Sequence, residues 1–227
     1  MNVAIVVAGG KGRRFGGPRP KQFLALNGIP IIIHTLGKFE RSQTIESVIL
    51  VLPAEETAGF ESLAKQFALA KVARIVSGGE TRAQSVARGL AAVEAAEIVA
   101  VHDGVRPLVA SEEIDAVVKR AALDGAAVLV ADLRDTVKQV KDERITGTLP
   151  RLDLRRALTP QCFRLDILRR AYAELDQLEA AGLEVTDDSF LVERLGVEII
   201  AVPGSGRNIK ITSEEDLRLA ESLINDR

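Results

Sequence analysis

The chain of 227 residues has no tryptophan, one tyrosine and one cysteine. So few aromatic rings argue against binding by stacking bases on an aromatic platform. The lone Cys162 excludes an intrachain disulfide and a cysteine-based metal site, and it fits a reducing compartment. Two histidines, His34 and His102, give no support to a hydrolase triad. A net charge of −2 supplies no global basic field for nucleic acid, so any polyanion site must be a local cluster of Lys and Arg. No apolar run approaches a membrane span. The start, MNVAIVVAGG, lacks the basic lead of a secretory signal. A cytoplasmic protein that binds neither nucleic acid nor membrane is expected.

What is present is a chain long enough for one domain over 1–227, with 47% apolar residues to fill a core. Short Val- and Ile-rich runs at Asn2–Ala8, Ser47–Leu52, Ala73–Ser77, Ile98–His102, Ala126–Ala131 and Val197–Val202 read as strands covered on both faces. Helical patterns at Pro30–Ser42, Arg82–Ala95 and Ser111–Asp124 alternate with them. Ser111 is the expected N-cap of the last of these. Ser213 and Asp216 resemble a capping box ahead of a C-terminal helix. Alternating strands and helices predict an α/β architecture with a mostly parallel sheet and a site at the carboxyl ends of its strands. Residues 132–158 break the alternation. They read as a projecting β-hairpin arm, Thr136–Val140 and Ile145–Leu149, which is too small for a core of its own and is expected to pack on another subunit.

Three motifs fall at predicted strand ends. Gly9-Gly10-Lys11-Gly12-Arg13-Arg14-Phe15-Gly16-Gly17, running on to Pro20-Lys21-Gln22, joins glycines that admit phosphates to cations that no acid interrupts. It lacks the Gly-Lys-Ser/Thr of a Walker loop, and Phe15 breaks a dinucleotide fingerprint. The alternative is a solvated basic turn. His102-Asp103-Gly104-Val105-Arg106-Pro107 places a carboxylate suited to Mg²⁺ at a strand end, with Arg106 ready to pair with a phosphate. A cap for the next helix is the alternative for Asp103, and a packed strand-end residue the alternative for His102. His34, within an apolar helix, reads as structural. Gly78-Gly79-Glu80-Thr81-Arg82-Ala83-Gln84-Ser85 is a glycine turn entering a helix, able to offer N–H groups and a hydroxyl to a base or ribose, or else an ordinary capped loop. Arg134-Asp135-Thr136, Arg151, Ala157–Gln161, Thr186-Asp187-Asp188 and Asn208–Thr212 look, singly, like surface charges and turns.

Taken together, in this order and spacing, these motifs resemble the 2-C-methyl-D-erythritol 4-phosphate cytidylyltransferases of the non-mevalonate isoprenoid pathway, from Val3 to about Ala220. The resemblance implies a Rossmann-like nucleotidyltransferase fold with a seven-stranded sheet, and a homodimer held partly by its β-arms. It also implies a Mg²⁺-dependent reaction of CTP with methylerythritol phosphate that releases pyrophosphate. By position, Arg14 and Lys21 match transition-state stabilisers. Ala8, Gly9, Gly10, Gly12, Lys21, Gly79, Glu80 and Ser85 match CTP contacts, and Asp103 matches the metal ligand. Asp103, Arg106, Thr186 and Lys210 would lie at the acceptor, with Thr136 and Arg151 reaching it from the neighbouring arm. Arg151 and Lys210 would aim the incoming phosphate.

The chemistry is consistent with so few histidines and cysteines. A phosphate oxygen already ionised at neutral pH needs no general base, and the obstacle is repulsion between anions. Charge motifs alone leave open a ribitol 5-phosphate cytidylyltransferase, a nucleotidyltransferase for another base, or a non-catalytic nucleotide-binding regulator. No fused second enzyme is expected.

Overall fold

The computed structural model describes residues 1–10 and 20–225. Strand β1 (Val3–Val7) is buried along its whole length. Its side chains alternate between two apolar layers, Ala4 and Val6 on one face and Val3, Ile5 and Val7 on the other. That two-sided burial is the reason for an unbroken apolar run. A two-residue ladder, β2 (Ala25–Leu26) and β3 (Ile29–Pro30), leads into α1 (Ile31–Arg41). Then follow β4 (Ser47–Leu52), α2 (Thr57–Gln66), β5 (Val72–Ser77), α3 (Arg82–Ala91), β6 (Ile98–Asp103), α4 (Ser111–Asp124) and β7 (Ala126–Asp132). The hairpin β8 (Val137–Lys141) and β9 (Arg144–Leu149) comes next, then β10 (Arg155–Arg164), α5 (Leu165–Tyr172), α6 (Leu175–Ala180), α7 (Asp188–Glu193), β11 (Ile200–Pro203) and α8 (Glu214–Asn225).

Seven strands form one sheet in the order β11-β7-β10-β6-β1-β4-β5. β1 runs parallel to both β4 and β6, β5 parallel to β4, and β11 parallel to β7. Only β10 is antiparallel to its neighbours. This is the mostly parallel α/β sheet that the sequence predicts, with a separate two-stranded antiparallel arm. One apolar layer packs α1, α2 and α4 on the sheet through Leu36, Phe39, Phe60, Val117 and Ala121. The other packs α3, α5, α6 and α7 through Val86, Leu90, Leu168, Leu178 and Val192. A smaller cluster, including Leu26, Ile31, Leu108, Ile211 and Ala220, ties α8 to the front of α1. Among the described residues, no helix is long and apolar enough to cross a membrane.

Several expectations change in detail. α3 stops at Ala91 rather than Ala95, and the last strand covers Ile200–Pro203 rather than Val197–Val202. Ser111 is the first residue of α4, not its cap: its hydroxyl donates to the Lys38 carbonyl at 2.9 Å, while Glu113 reaches back to the Ala110 N–H at 2.9 Å. The box at the last helix forms as read. Asp216 accepts from the Ser213 N–H at 2.9 Å, and the Ser213 hydroxyl accepts from the Asp216 N–H at 3.2 Å.

The residues after the arm form β10 rather than surface turns. Arg155–Ala157 pair with β7, so the projecting part is the β8–β9 hairpin. Its turn residues Asp142 and Glu143 have φ of 49° and 63°, as the tightest hairpin turns require. The arm leaves Val140 and Ile145 62% and 67% exposed.

Candidate active site

β1, β5 and β6 end together, and a cavity of about 210 Å³ opens at their carboxyl ends. Beyond β1, Ala8, Gly9 and Gly10 form one wall. Buried Gln22 braces them, donating through Nε2 to the Ala8 carbonyl at 2.6 Å. Lys21, on the short helical turn Lys21–Phe23, also lines the cavity. Gly12 and Arg14 lie outside the described residues, so the remainder of the first motif has no structural description.

The second wall is the turn from β5 into α3, with Gly79, Glu80, Thr81, Arg82 and Ser85. Thr81 caps α3, accepting from the Gln84 N–H at 3.0 Å. Ser85 Oγ accepts from the Gly79 N–H at 3.0 Å and donates to the Thr81 carbonyl at 2.9 Å. The loop is thereby folded back onto its own helix.

Asp103, the last residue of β6, is the electrostatic centre, only 5% exposed. Arg82 Nε lies 2.9 Å from its Oδ1. Lys210 Nζ lies 2.9 Å and Arg106 Nε 3.4 Å from its Oδ2. Burial pushes the carboxyl pKa up, but Arg82, Lys210 and Arg106 together outweigh it and hold it well below the usual carboxylate range. Asp103 is thus ionised, and it caps no helix. Lys210 arrives because the Ile211 N–H donates to the Val105 carbonyl at 2.9 Å, which lays the Asn208–Ile211 segment along the β6–α4 loop. Arg106 is steadied further by donating to the Asn208 carbonyl at 3.0 Å.

His102 is a packed strand-end residue. It is fully buried, edge-on to Phe39 at 5.0 Å between ring centroids. Its Nε2 lies 3.3 Å from the Arg106 carbonyl, which can only accept, so Nε2 carries the proton and Nδ1 accepts from Thr159 Oγ1 at 2.9 Å. That hydroxyl in turn accepts from the Asp103 N–H at 3.2 Å. Burial lowers the His102 pKa to about 3, so the ring is neutral and acts as a strut. His34 is also structural, with Nε2 2.7 Å from the Leu26 carbonyl.

The motifs name Arg82 and Asp188 without roles, and the structure joins them. Arg82 forks between Asp103 and the fully buried Asp188, whose Oδ2 accepts from Nη2 at 2.8 Å. Asp188 Oδ1 accepts from the Tyr172 hydroxyl at 2.5 Å. An arginine at the first position of a helix, just after a glycine turn, is the one sequence signal of this link.

Other expected residues lie elsewhere. Thr186 is exposed ahead of α7, and Thr136 and Arg151 are exposed on the arm segment; none lines the cavity. Arg151 donates to the Arg134 carbonyl.

Among the described residues, no three His, Cys, Asp or Glu side chains group around a metal position. Asp103 nevertheless suits Mg²⁺: it is an ionised oxygen donor on the cavity wall, and Mg²⁺ commonly takes one or two carboxylates and completes its shell with substrate phosphates and water.

The model of the family described as IspD, 2-C-methyl-D-erythritol 4-phosphate cytidylyltransferase, matches residues 2–226. The Carboxydothermus hydrogenoformans protein of that name is 44% identical over 224 residues, covering 97% of this chain and 94% of its own. The Bacillus licheniformis protein is 40% identical over 225 residues, covering 99% and 96%. The solved Thermus thermophilus enzyme superposes with a TM-score of 0.78 at 33% identity, covering 99% of this chain and 100% of that one. The Anaerococcus prevotii synthase superposes at 0.83 with 29% identity, covering 99% and 96%. With a family match along nearly its whole length and the cationic cavity at its strand ends, the chain belongs to the 2-C-methyl-D-erythritol 4-phosphate cytidylyltransferase family.

Proposed function

We propose that this cavity transfers a cytidylyl group from CTP to 2-C-methyl-D-erythritol 4-phosphate, giving 4-diphosphocytidyl-2-C-methyl-D-erythritol and pyrophosphate for isoprenoid precursor synthesis. The observation that carries the reading is Asp103 held by Arg82, Arg106 and Lys210 in the cavity that Gly9, Gly10 and Lys21 also line. An acceptor phosphate oxygen attacks the α-phosphorus of CTP. The new P–O bond forms as the bond to the β-phosphate breaks, and pyrophosphate leaves with the electron pair. No proton has to be removed from the nucleophile, so the neutral, buried His102 has no part in the chemistry.

The residue assignments follow from position. Ala8, Gly9, Gly10, Gly12, Gly79, Glu80 and Ser85 hold the nucleotide. Arg14 and Lys21 neutralise charge that builds on the α-phosphate. Arg106, Thr186 and Lys210 receive the acceptor. Asp103 would hold Mg²⁺, whose contribution when bound is to neutralise phosphate oxygens. Arg82 keeps Asp103 oriented from the nucleotide side.

The chain acts as one nucleotidyltransferase domain in the cytoplasm, with the β8–β9 hairpin within 132–158 as a dimerisation arm. The exposed Val140 and Ile145 support an arm that is covered in a homodimer. Thr136 and Arg151 then act in the partner's site, which explains why neither lines the cavity of its own chain.

Pyrophosphate release with CTP and Mg²⁺ tests the reading, comparing methylerythritol phosphate with ribitol 5-phosphate. Strong preference for methylerythritol phosphate is expected. Preference for ribitol phosphate would overturn the acceptor assignment but not the reaction class.

A further inference from the structure

The Gly79–Thr81 loop has two adjustable groups in its support. Gln84 Oε1 accepts from the Glu80 N–H at 3.1 Å. A Cβ on Gly79 would collide with Gln84 Cβ, so the loop lies directly on the stem of Gln84. A glutamine amide can turn over, and doing so would present NH₂ to the Glu80 N–H and break this bond. The Thr81 hydroxyl can likewise rotate away from the Gln84 N–H that it caps at 3.0 Å.

Both groups are set by one carboxylate. Glu179, at the end of α6, accepts from Gln84 Nε2 at 2.7 Å and from the Thr81 hydroxyl at 3.0 Å. A carboxylate only accepts, so it fixes the NH₂ of Gln84 toward α6 and its oxygen toward Glu80. Glu179 lies outside the cavity lining and 95 residues along the chain from Gln84.

We infer that Glu179 is a positioning residue for the nucleotide, acting through Gln84 and Thr81 on the backbone of Gly79 and Glu80. The inference rests on the cytidylyl-transfer reading, in which these two residues contact CTP. It concerns affinity for CTP and not the chemical step.

The test is a swap of the two amide and acid groups. Glu179→Gln is nearly isosteric but offers one acceptor to two donors, so either the Gln84 amide turns or the Thr81 hydroxyl loses its acceptor. One lost loop hydrogen bond should raise both the CTP Kd, measured by calorimetry, and the CTP KM about threefold to tenfold. kcat and the acceptor KM should stay within about twofold. Adding Gln84→Glu to Glu179→Gln restores an acceptor both to the Glu80 N–H and to the amide introduced at position 179. The double variant should return to within about twofold of wild-type Kd. A CTP Kd in Glu179→Gln equal to wild type overturns the proposal, as does a double variant no better than the single one. A wild type that binds CTP but releases no pyrophosphate overturns the functional reading instead, because the Kd comparison still stands.

Discussion

Lys21 and His102 sit within one site and do opposite kinds of work. Lys21 lines the cavity, and in the proposed reaction it faces the charge that develops on the transferred phosphorus. Removing a preorganised donor of this kind costs about 10²–10³ in kcat. Lys21→Ala should therefore lose turnover of that order with a smaller change in CTP KM, read by steady-state pyrophosphate release; near-normal kcat would sink the assignment. His102 contributes to stability. Its pKa is about 3 when folded, against about 6.5 in the unfolded chain. Between those values the unfolded state binds more protons, so its stability contribution is complete above about pH 6.5 and is lost as pH falls. The loss should reach about 1.4 kcal/mol per pH unit. Denaturant unfolding at pH 7, 6 and 5 should show a steeper decline in wild type than in His102→Gln, and equal slopes would refute it. Arg82 shows a third kind of work. It forks to two carboxylates, a geometry that a lysine point charge does not reproduce.

Among the elements, α3 matters most to the second wall of the cavity because it carries Arg82 and Ser85. It lies close against the sheet because Gly89 faces β1: a Cβ there would meet Ile5 Cγ2 at 2.5 Å and Val51 Cγ2 at 3.1 Å. Both of those side chains are fully buried in strands. Gly89→Ala should destabilise the protein by about 1–3 kcal/mol through overpacking. The effect should appear as a lower denaturant midpoint with an unchanged m-value, and an unchanged midpoint would show that the strands yield. The strands of this region were legible in the sequence, since burial on both faces leaves an unbroken apolar run. β10 was not. It opens with Arg155 and Arg156, contains Pro160, and changes register between Ala157 and Gln161. Each of these features argues against a central strand when read without its neighbours. α6 and α7, six residues each, are too short to display a helical period.

At the scale of the whole molecule, the proposed arm exchange makes a prediction that no single site does. If Lys21 acts in its own chain's site and Arg151 in the partner's, Lys21→Ala and Arg151→Ala damage complementary halves. Each variant alone should be poorly active, with Arg151→Ala failing mainly in acceptor use. Unfolded together and refolded in equal amounts, the two should form mixed dimers with one intact site. About a quarter of the sites should then recover. No gain over the separate variants, with mixed dimers verified by tagged pull-down, would place both residues in the same chain's site.

The sequence by itself determined the parallel α/β plan, the strand ends that carry the motifs, and the kind of chemistry. Two-sided burial and phosphate binding each demand particular residue types at fixed local spacing. The tertiary structure decided which charges meet. Arg82, Asp103, Asp188 and Lys210 are far apart along the chain, yet they share one set of ion pairs within 3 Å. It also decided that His102 is a neutral strut and that Glu179 sets the Gln84 amide. Charge pairing and amide orientation depend on distance and burial, which arise only when separate elements pack together.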